Sequence, residues 1–177
     1  MKKRMLFVFN PKAGKGRIKM HLLDIVDIFN KGGYEVIIRA TQGPKDAYEQ
    51  VKEYADQVDL IACSGGDGTL DEVVTGIVEM GSQTPIGYIP AGSTNDFAAG
   101  LSLPSNPEAA AERILTGKAH PHDVGQIDGD RRFVYVSSFG AFSETSYMTS
   151  QSLKNALGHL AYVLEGTKAL KSIKPIA

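Results

Sequence analysis

Four short, mainly apolar runs, at residues 5–9, 34–39, 58–63 and 85–89, alternate with stretches whose apolar residues recur every three or four positions. The first run, Met5-Leu6-Phe7-Val8-Phe9, is apolar throughout, the pattern of a strand covered on both faces. Ile18, Leu22, Ile25, Val26 and Phe29 then share one face of a helix that Gly32-Gly33 ends. The spacing predicts further helices over 46–55, with Ala47, Val51, Tyr54 and Ala55 inward, and over 70–80, with apolar residues at Val73, Val74, Ile77 and Val78. Another starts at Asn106-Pro107-Glu108, a good cap and first-turn proline, and stops near Gly117. Strands alternating with helices predict an α/β fold, an open and mostly parallel sheet with helices on both faces.

The pattern changes after about His120. Asp123-Val124-Gly125-Gln126-Ile127, a candidate turn at Asp128-Gly129, and Phe133-Val134-Tyr135-Val136 read as an antiparallel hairpin, and a helical period resumes over 152–170. The expected organisation is an α/β domain over 1–122 followed, over 123–177, by the start of an antiparallel β second domain that is truncated. The alternative is that this last part packs onto the first sheet and completes a small protein.

Composition narrows the function classes. At 42% apolar and 22% charged residues, with a formal net charge of -1, the chain has no bulk attraction for nucleic acid or an acidic membrane. Its single cysteine, Cys63, forms no internal disulfide and fits a reducing compartment. No apolar run approaches the roughly 18–20 residues of a membrane span. A cytoplasmic location is the expectation.

The third run leads into Ser64-Gly65-Gly66-Asp67-Gly68-Thr69. Glycines at 65, 66 and 68 remove the β-carbons that would hold a ligand off the backbone and permit positive φ in a tight turn. The first-turn amides of the following helix favour an anion such as phosphate. In an open α/β sheet the loops at the carboxyl ends of the strands gather along one edge. Here those loops are 10–16, 64–69 and 91–96. Lys12, Lys15 or Arg17 suit phosphate neutralisation, Thr69 and Ser93 or Thr94 suit donation to phosphate oxygens, and Asn10 and Asn95 suit a ribose or a loop-to-loop lock. Each has a plainer reading, a solvated lysine or an Asn serving its own turn. The glycines match neither a Walker A sequence nor the dinucleotide fingerprint.

Asp67 is anomalous in an anion cradle, because a carboxylate repels phosphate unless a divalent cation or a proton is managed there. Asp67, Asp96 and Asp123 each stand at or just beyond the end of an apolar segment and suit a phosphoryl transfer that uses Mg2+. The plainer readings are helix caps for Asp67 and Asp96 and a turn or salt bridge for Asp123. His120 and His122 flank Pro121 without a cysteine or an HExxH pattern, so a zinc site is not expected. The segment 143–152 is serine-rich but has no Gly-x-Ser-x-Gly.

Three motifs carry a resemblance. Asn-Pro-Lys-Ala-Gly-Lys-Gly at 10–16, Gly-Gly-Asp-Gly-Thr-Leu-Asp-Glu-Val-Val-Thr at 65–75 and Pro-Ala-Gly-Ser-Thr-Asn-Asp-Phe at 90–97 resemble, in order and interval, the signatures of the diacylglycerol kinase catalytic domain. The likeness is greatest to the soluble bacterial lipid kinases of the diacylglycerol kinase B type, and it extends over 147–165. It implies a fold like that of ATP-NAD kinases and phosphofructokinases. It also implies ATP and Mg2+ as cofactors and transfer of the γ-phosphate to the hydroxyl of diacylglycerol, giving phosphatidic acid.

By the same resemblance Gly65, Gly66, Gly68 and Thr69 contact the ATP phosphates, and Asn10, Gly92, Thr94 and Asn95 lie near the nucleotide. Asp67 sits on the Mg·ATP side, Glu72 supports the glycine turn, and Asp96, Asp123 and Lys15 join the catalytic network. No protein-borne metal ligand set is assigned within these residues. The family's general base and its structural Mg2+ site fall beyond residue 177, so catalysis by these residues alone is not expected. Ser93 and Thr75 stand where the family usually has Thr and Asn. Other acceptors (phosphatidylglycerol, a sphingoid base, undecaprenol) and an NAD kinase-like activity are the alternatives. Expected partners are ATP and a lipid reached by transient contact with the inner face of the membrane, with a possible homodimer and no nucleic acid.

Overall fold

The continuous apolar run at the N-terminus becomes β1 (Lys3–Phe9), with Met5 to Phe9 buried and the charged Lys3 left at its exposed start. The structure is a computed structural model that describes residues 2–127 and 131–135. β1 is followed by α1 (Ile18–Lys31), β2 (Tyr34–Ala40), α2 (Asp46–Tyr54), β3 (Leu60–Gly65), α3 (Asp67–Met80) and β4 (Ile86–Pro90). Then come α4 (Asp96–Gly100), α5 (Pro107–Thr116), β5 (Gly125–Ile127) and β6 (Arg131–Phe133). The four long strands form one sheet in the order β2-β1-β3-β4, every pair parallel.

Alternation along the strands divides the core into two layers. Leu6, Val8, Ile61 and Cys63 face α2 and α3, where they meet Val51, Val73 and Ile77. Met5, Phe7, Phe9, Ala62 and Ile89 face α1 and α5, where they meet Ile25, Phe29 and Ala110. Helices therefore cover both faces, as expected. Each of these larger side chains contributes about 1.5–3 kcal/mol by burial. Asn106 caps α5, its Oδ1 accepting the Ala109 amide at 2.7 Å, with Pro107 in the first turn. The chain leaves β1 for β2 on one side and reaches β3 on the other. That puts the change of direction between the carboxyl ends of β1 and β3, where ligands bind in open α/β sheets.

Two of the boundaries that differ from the sequence reading bear on the site. β3 starts at Leu60 and runs through Ser64 and Gly65, so the glycine turn is shorter than its sequence: Gly65 closes the strand and Gly66 caps α3. Val58 and Asp59 precede the strand, with Asp59 Oδ2 accepting the Arg4 amide at 2.7 Å. The hairpin is antiparallel, but its second strand lies two residues earlier than expected. Gly125 pairs with Phe133, and a β-carbon on Gly125 would meet the Phe133 ring at 2.2 Å. The ring thus lies across the glycine and fixes the register. Val134 then leaves the ladder and is buried among core residues of the α2 and α3 side. The expected turn at 128–129, Val136, the serine-rich segment 143–152 and the helix over 152–170 lie outside the described residues. The compact unit extends through Tyr135.

Candidate functional site

The three loops meet backbone to backbone at the carboxyl end of the sheet. Gly14 has φ +49°, and a β-carbon there would lie 2.0 Å from the Ala91 carbonyl oxygen, so only glycine fits. Gly92 packs as tightly: its β-carbon would lie 2.5 Å from Gly66 Cα and 2.7 Å from Asn95 Oδ1. The Gly65 carbonyl accepts the Ala91 and Gly92 amides at 2.8 and 3.1 Å and the Tyr88 hydroxyl at 3.0 Å, and the Asn10 amide donates to the Ser64 carbonyl at 2.8 Å. Burial pushes the Tyr88 hydroxyl upward, with smaller effects from Cys63, Asp67 and Asp71, so it stays a donor.

The reason for the motif's glycines is space rather than positive φ, which none of Gly65, Gly66 and Gly68 adopts. A β-carbon on Gly65 would meet Thr69 Oγ1 at 2.5 Å, whereas one on Gly68 meets nothing within 4 Å. Gly68 is exposed on the first turn of α3 and leaves open room above it. Thr69 is buried under the turn, its amide bonded to the Gly66 carbonyl at 3.0 Å.

The asparagines act on their own loops. Asn10 Oδ1 accepts the Lys12 amide at 2.9 Å, and Asn95, itself left-handed at φ 54°, clasps Gly92 by accepting its amide at 2.7 Å and donating to its carbonyl at 2.9 Å. Glu72 serves a different element from the one expected. Its two oxygens accept the Lys45 and Ala47 amides at 2.8 and 3.2 Å, capping α2 rather than bracing the glycine turn. Lys15 is exposed and left-handed at φ 65° between two glycines of positive φ.

Asp67 opens α3 and reaches across to α4, where its oxygens accept the Asp96 and Phe97 amides at 3.2 and 3.4 Å. Its role as a cap is therefore real but in trans, on another helix's first turn. Asp96 itself caps nothing, since the residue before α4 is Asn95 and α4 has no side-chain cap. Asp123 is exposed on the segment entering β5. That segment is held beside α4 by His122, whose ring meets Phe97 edge-on at 5.1 Å between centroids.

Residues 4–127 match the diacylglycerol kinase catalytic domain. The chain belongs to that family. It is 38% identical to a diacylglycerol kinase of Bacillus subtilis over 98% of its own length and 57% of the relative's. It is 36% identical to one of Staphylococcus epidermidis over 99% and 56%. Among solved structures, a diacylglycerol kinase of Bacillus anthracis superposes with a TM-score of 0.68 at 32% identity, covering 75% of this chain and 46% of that one. The chain thus spans little more than half the length of the curated relatives it matches.

Within this diacylglycerol kinase catalytic domain, sequence reasoning missed Asp71. It lies one helical turn after Asp67, and its Oδ1 accepts the Val134 amide at 3.3 Å. Burial raises its carboxyl to about 6; the Val134 amide lowers it, and the charge of Asp67 raises it further. The signal was available, because an acid four residues from another on a helix shares its face. A cavity of about 240 Å3 adjoins the loops on the α1 side, where Gly92, Thr94 and Asn95 meet Gly14, Arg17 and Ile18. The second loop does not line it, so the expected residues divide between this cavity and the open room above Gly68. Among the described residues no three His, Cys, Asp or Glu side chains gather as a metal site.

Proposed function

We propose that the protein carrying these residues transfers the γ-phosphate of ATP to the hydroxyl of diacylglycerol, giving phosphatidic acid. The observation that carries the reading is the contrast at the glycine motif: Gly65, Gly66 and Gly92 are packed against their neighbours, while Gly68 faces empty space at the start of a helix. The amides of such a first turn lack intrahelical acceptors and suit a phosphate chain. These residues fit Mg·ATP. Mg2+ needs only one or two carboxylates beside phosphate oxygens and waters, and Asp67 and Asp96 stand at adjoining helix starts. When bound, the ion neutralises charge on the transferring group.

The chain's own residues then have separable tasks. Gly65, Gly66, Gly68 and Thr69 shape the phosphate cradle, and Asn10, Gly92, Thr94 and Asn95 hold the flanking loops toward the nucleotide. Asp67 fixes α4 while it faces the nucleotide, Asp96 and Asp123 border the acceptor side, and Lys15 supplies positive charge from the first loop. The fold-level likeness to ATP-NAD kinases and phosphofructokinases, the division into 1–122 and a lipid-side domain from 123, a cytoplasmic location with transient membrane contact, and a homodimer belong to the same reading.

The deciding assay is Mg·ATP-dependent phosphorylation by the intact protein of a panel containing diacylglycerol, phosphatidylglycerol, a sphingoid base, undecaprenol and NAD. Labelled phosphatidic acid is expected; labelling of another member alone would replace the acceptor, and labelling of none would refute the reading. Gly68→Ala, which meets no atom of the protein, is expected to keep the melting temperature and weaken ATP binding.

A further inference from the structure

His122 entered as one of two histidines around a proline, and the proposed reaction gives it no task. Its surroundings do. The ring meets Phe97 at 5.1 Å with the planes at 85°, and Nε2 lies 3.2 Å from the Val134 carbonyl oxygen. A carbonyl can only accept, so Nε2 carries the hydrogen and donates. The amide of the same Val134 donates to Asp71 Oδ1 at 3.3 Å, and the amide of the same Phe97 donates to Asp67 Oδ1 at 3.4 Å. Asp67 and Asp71 are one turn apart on α3. The contacts therefore close on themselves: Asp67, Phe97, His122, Val134, Asp71, and back along the helix to Asp67.

We propose that His122 is a positioning residue, the link that closes this ring and so sets where Asp123, its neighbour in sequence, stands relative to Asp67 and Asp96. The assignment rests on the reading of those aspartates as the reacting edge of a lipid kinase. His122 Nε2 donates to the Val134 carbonyl, the Val134 and Phe97 amides donate to Asp71 and Asp67, and the remaining contact is an aromatic edge, so a shift at either end of His122 moves the peptide entering Asp123. Without His122 the segment entering Asp123 loses both its hydrogen bond to Val134, which is tied to α3, and its aromatic contact with Phe97 on α4. The ring therefore couples the start of α3, the start of α4 and the segment that enters β5.

The test uses the intact protein, two disrupting variants and one conservative variant. His122→Phe keeps an aromatic edge against Phe97 and removes the donor; Phe97→Leu breaks the other link. Amide exchange needs no substrate: in both variants it is expected to accelerate by about tenfold at Phe97 and at Val134, the scale of one lost hydrogen bond, with the amides of β1 unchanged. In the kinase assay kcat is expected to fall by about tenfold with the KM for ATP within about twofold of wild type. His122→Gln, which retains an N–H donor, is expected to recover part of the kcat. Acceleration at Val134 with no change at Phe97 would overturn the ring, as would unchanged kcat in both variants or a rise in the KM for ATP that accounts for the loss. If the wild type phosphorylates no lipid, the functional reading falls, and the exchange at Phe97 and Val134 decides the ring by itself.

Discussion

Asp71 makes a pH-dependent contribution whose sign follows from its surroundings. Its folded carboxyl is raised from the usual 3.8 to about 6, first by burial and then by the charge of Asp67, against the Val134 amide. The folded state therefore holds this proton more tightly than the unfolded chain does. No penalty exists well below 3.8, where both states are protonated; it grows as the pH rises through 3.8 toward 6 and is complete above the folded value. At about 1.4 kcal/mol per pK unit the ceiling is about 3 kcal/mol, and water screening at a half-buried carboxylate reduces this to about 1 kcal/mol. Asp71→Asn keeps an oxygen for the Val134 amide and removes the ionisation. Thermal melts from pH 3 to 8 should show the variant equal to wild type at pH 3 and about 2–4 °C more stable above pH 6.5. A variant that is less stable than wild type at pH 8 would refute the account, because the charge would then be stabilising.

Three further expectations concern the supports of the site. Gly92→Ala places a β-carbon 2.5 Å from Gly66 Cα, backbone against backbone, and should destabilise by about 1–3 kcal/mol in chemical denaturation; an unchanged midpoint would show that the loops are not in contact. Glu72→Ala leaves the Lys45 and Ala47 amides without their acceptor and should cost about 1–2 kcal/mol, with amide exchange faster at the start of α2 and unaltered in α3. Burial, with a smaller effect of Glu72, pushes the Cys63 thiol far above its ordinary range, so alkylation should proceed only as fast as the protein unfolds; rapid labelling of the native protein would contradict its burial.

What was legible in the sequence was whatever repeats locally. The apolar run at 5–9 and the period from Ile18 to Phe29 named a strand and a helix because burial on both faces selects a continuous apolar run and burial on one helix face selects side chains three to four apart. Asn106-Pro107 announced the start of α5 because both its cap and its proline act within one turn. Convergence of three loops was legible as well, since parallel strands deliver their carboxyl ends to one edge whatever the loops contain. The contacts of Asp67, Glu72 and Asp71 were not, and the reason is common to the three. Asp67 binds amides at Asp96 and Phe97, Glu72 binds amides at Lys45 and Ala47, and Asp71 binds the amide of Val134. Each partner is a main-chain N–H, a group every non-proline residue carries, so nothing in the partner's identity marks it in sequence.

The same fact recasts the acid in the glycine motif. Seen as a charge beside phosphate, Asp67 is a liability that demands a cation. Its two oxygens instead take the donors of α4's first turn and hold the third loop against the second. These two descriptions are compatible, because a carboxylate has about four acceptor positions and two amides leave room for a further ligand. On the proposed reading, a carboxylate fixed by main-chain donors is also one that would not swing away as a nucleotide binds, which is what a reaction governed by positioning requires. Replacement of Asp67 by Asn therefore removes charge while keeping one acceptor, and replacement by Ala removes both. If the residue acts chiefly as a clamp, the Asn variant should retain the exchange protection of Phe97 that the Ala variant loses; equal protection in the two would leave the charge as its whole contribution.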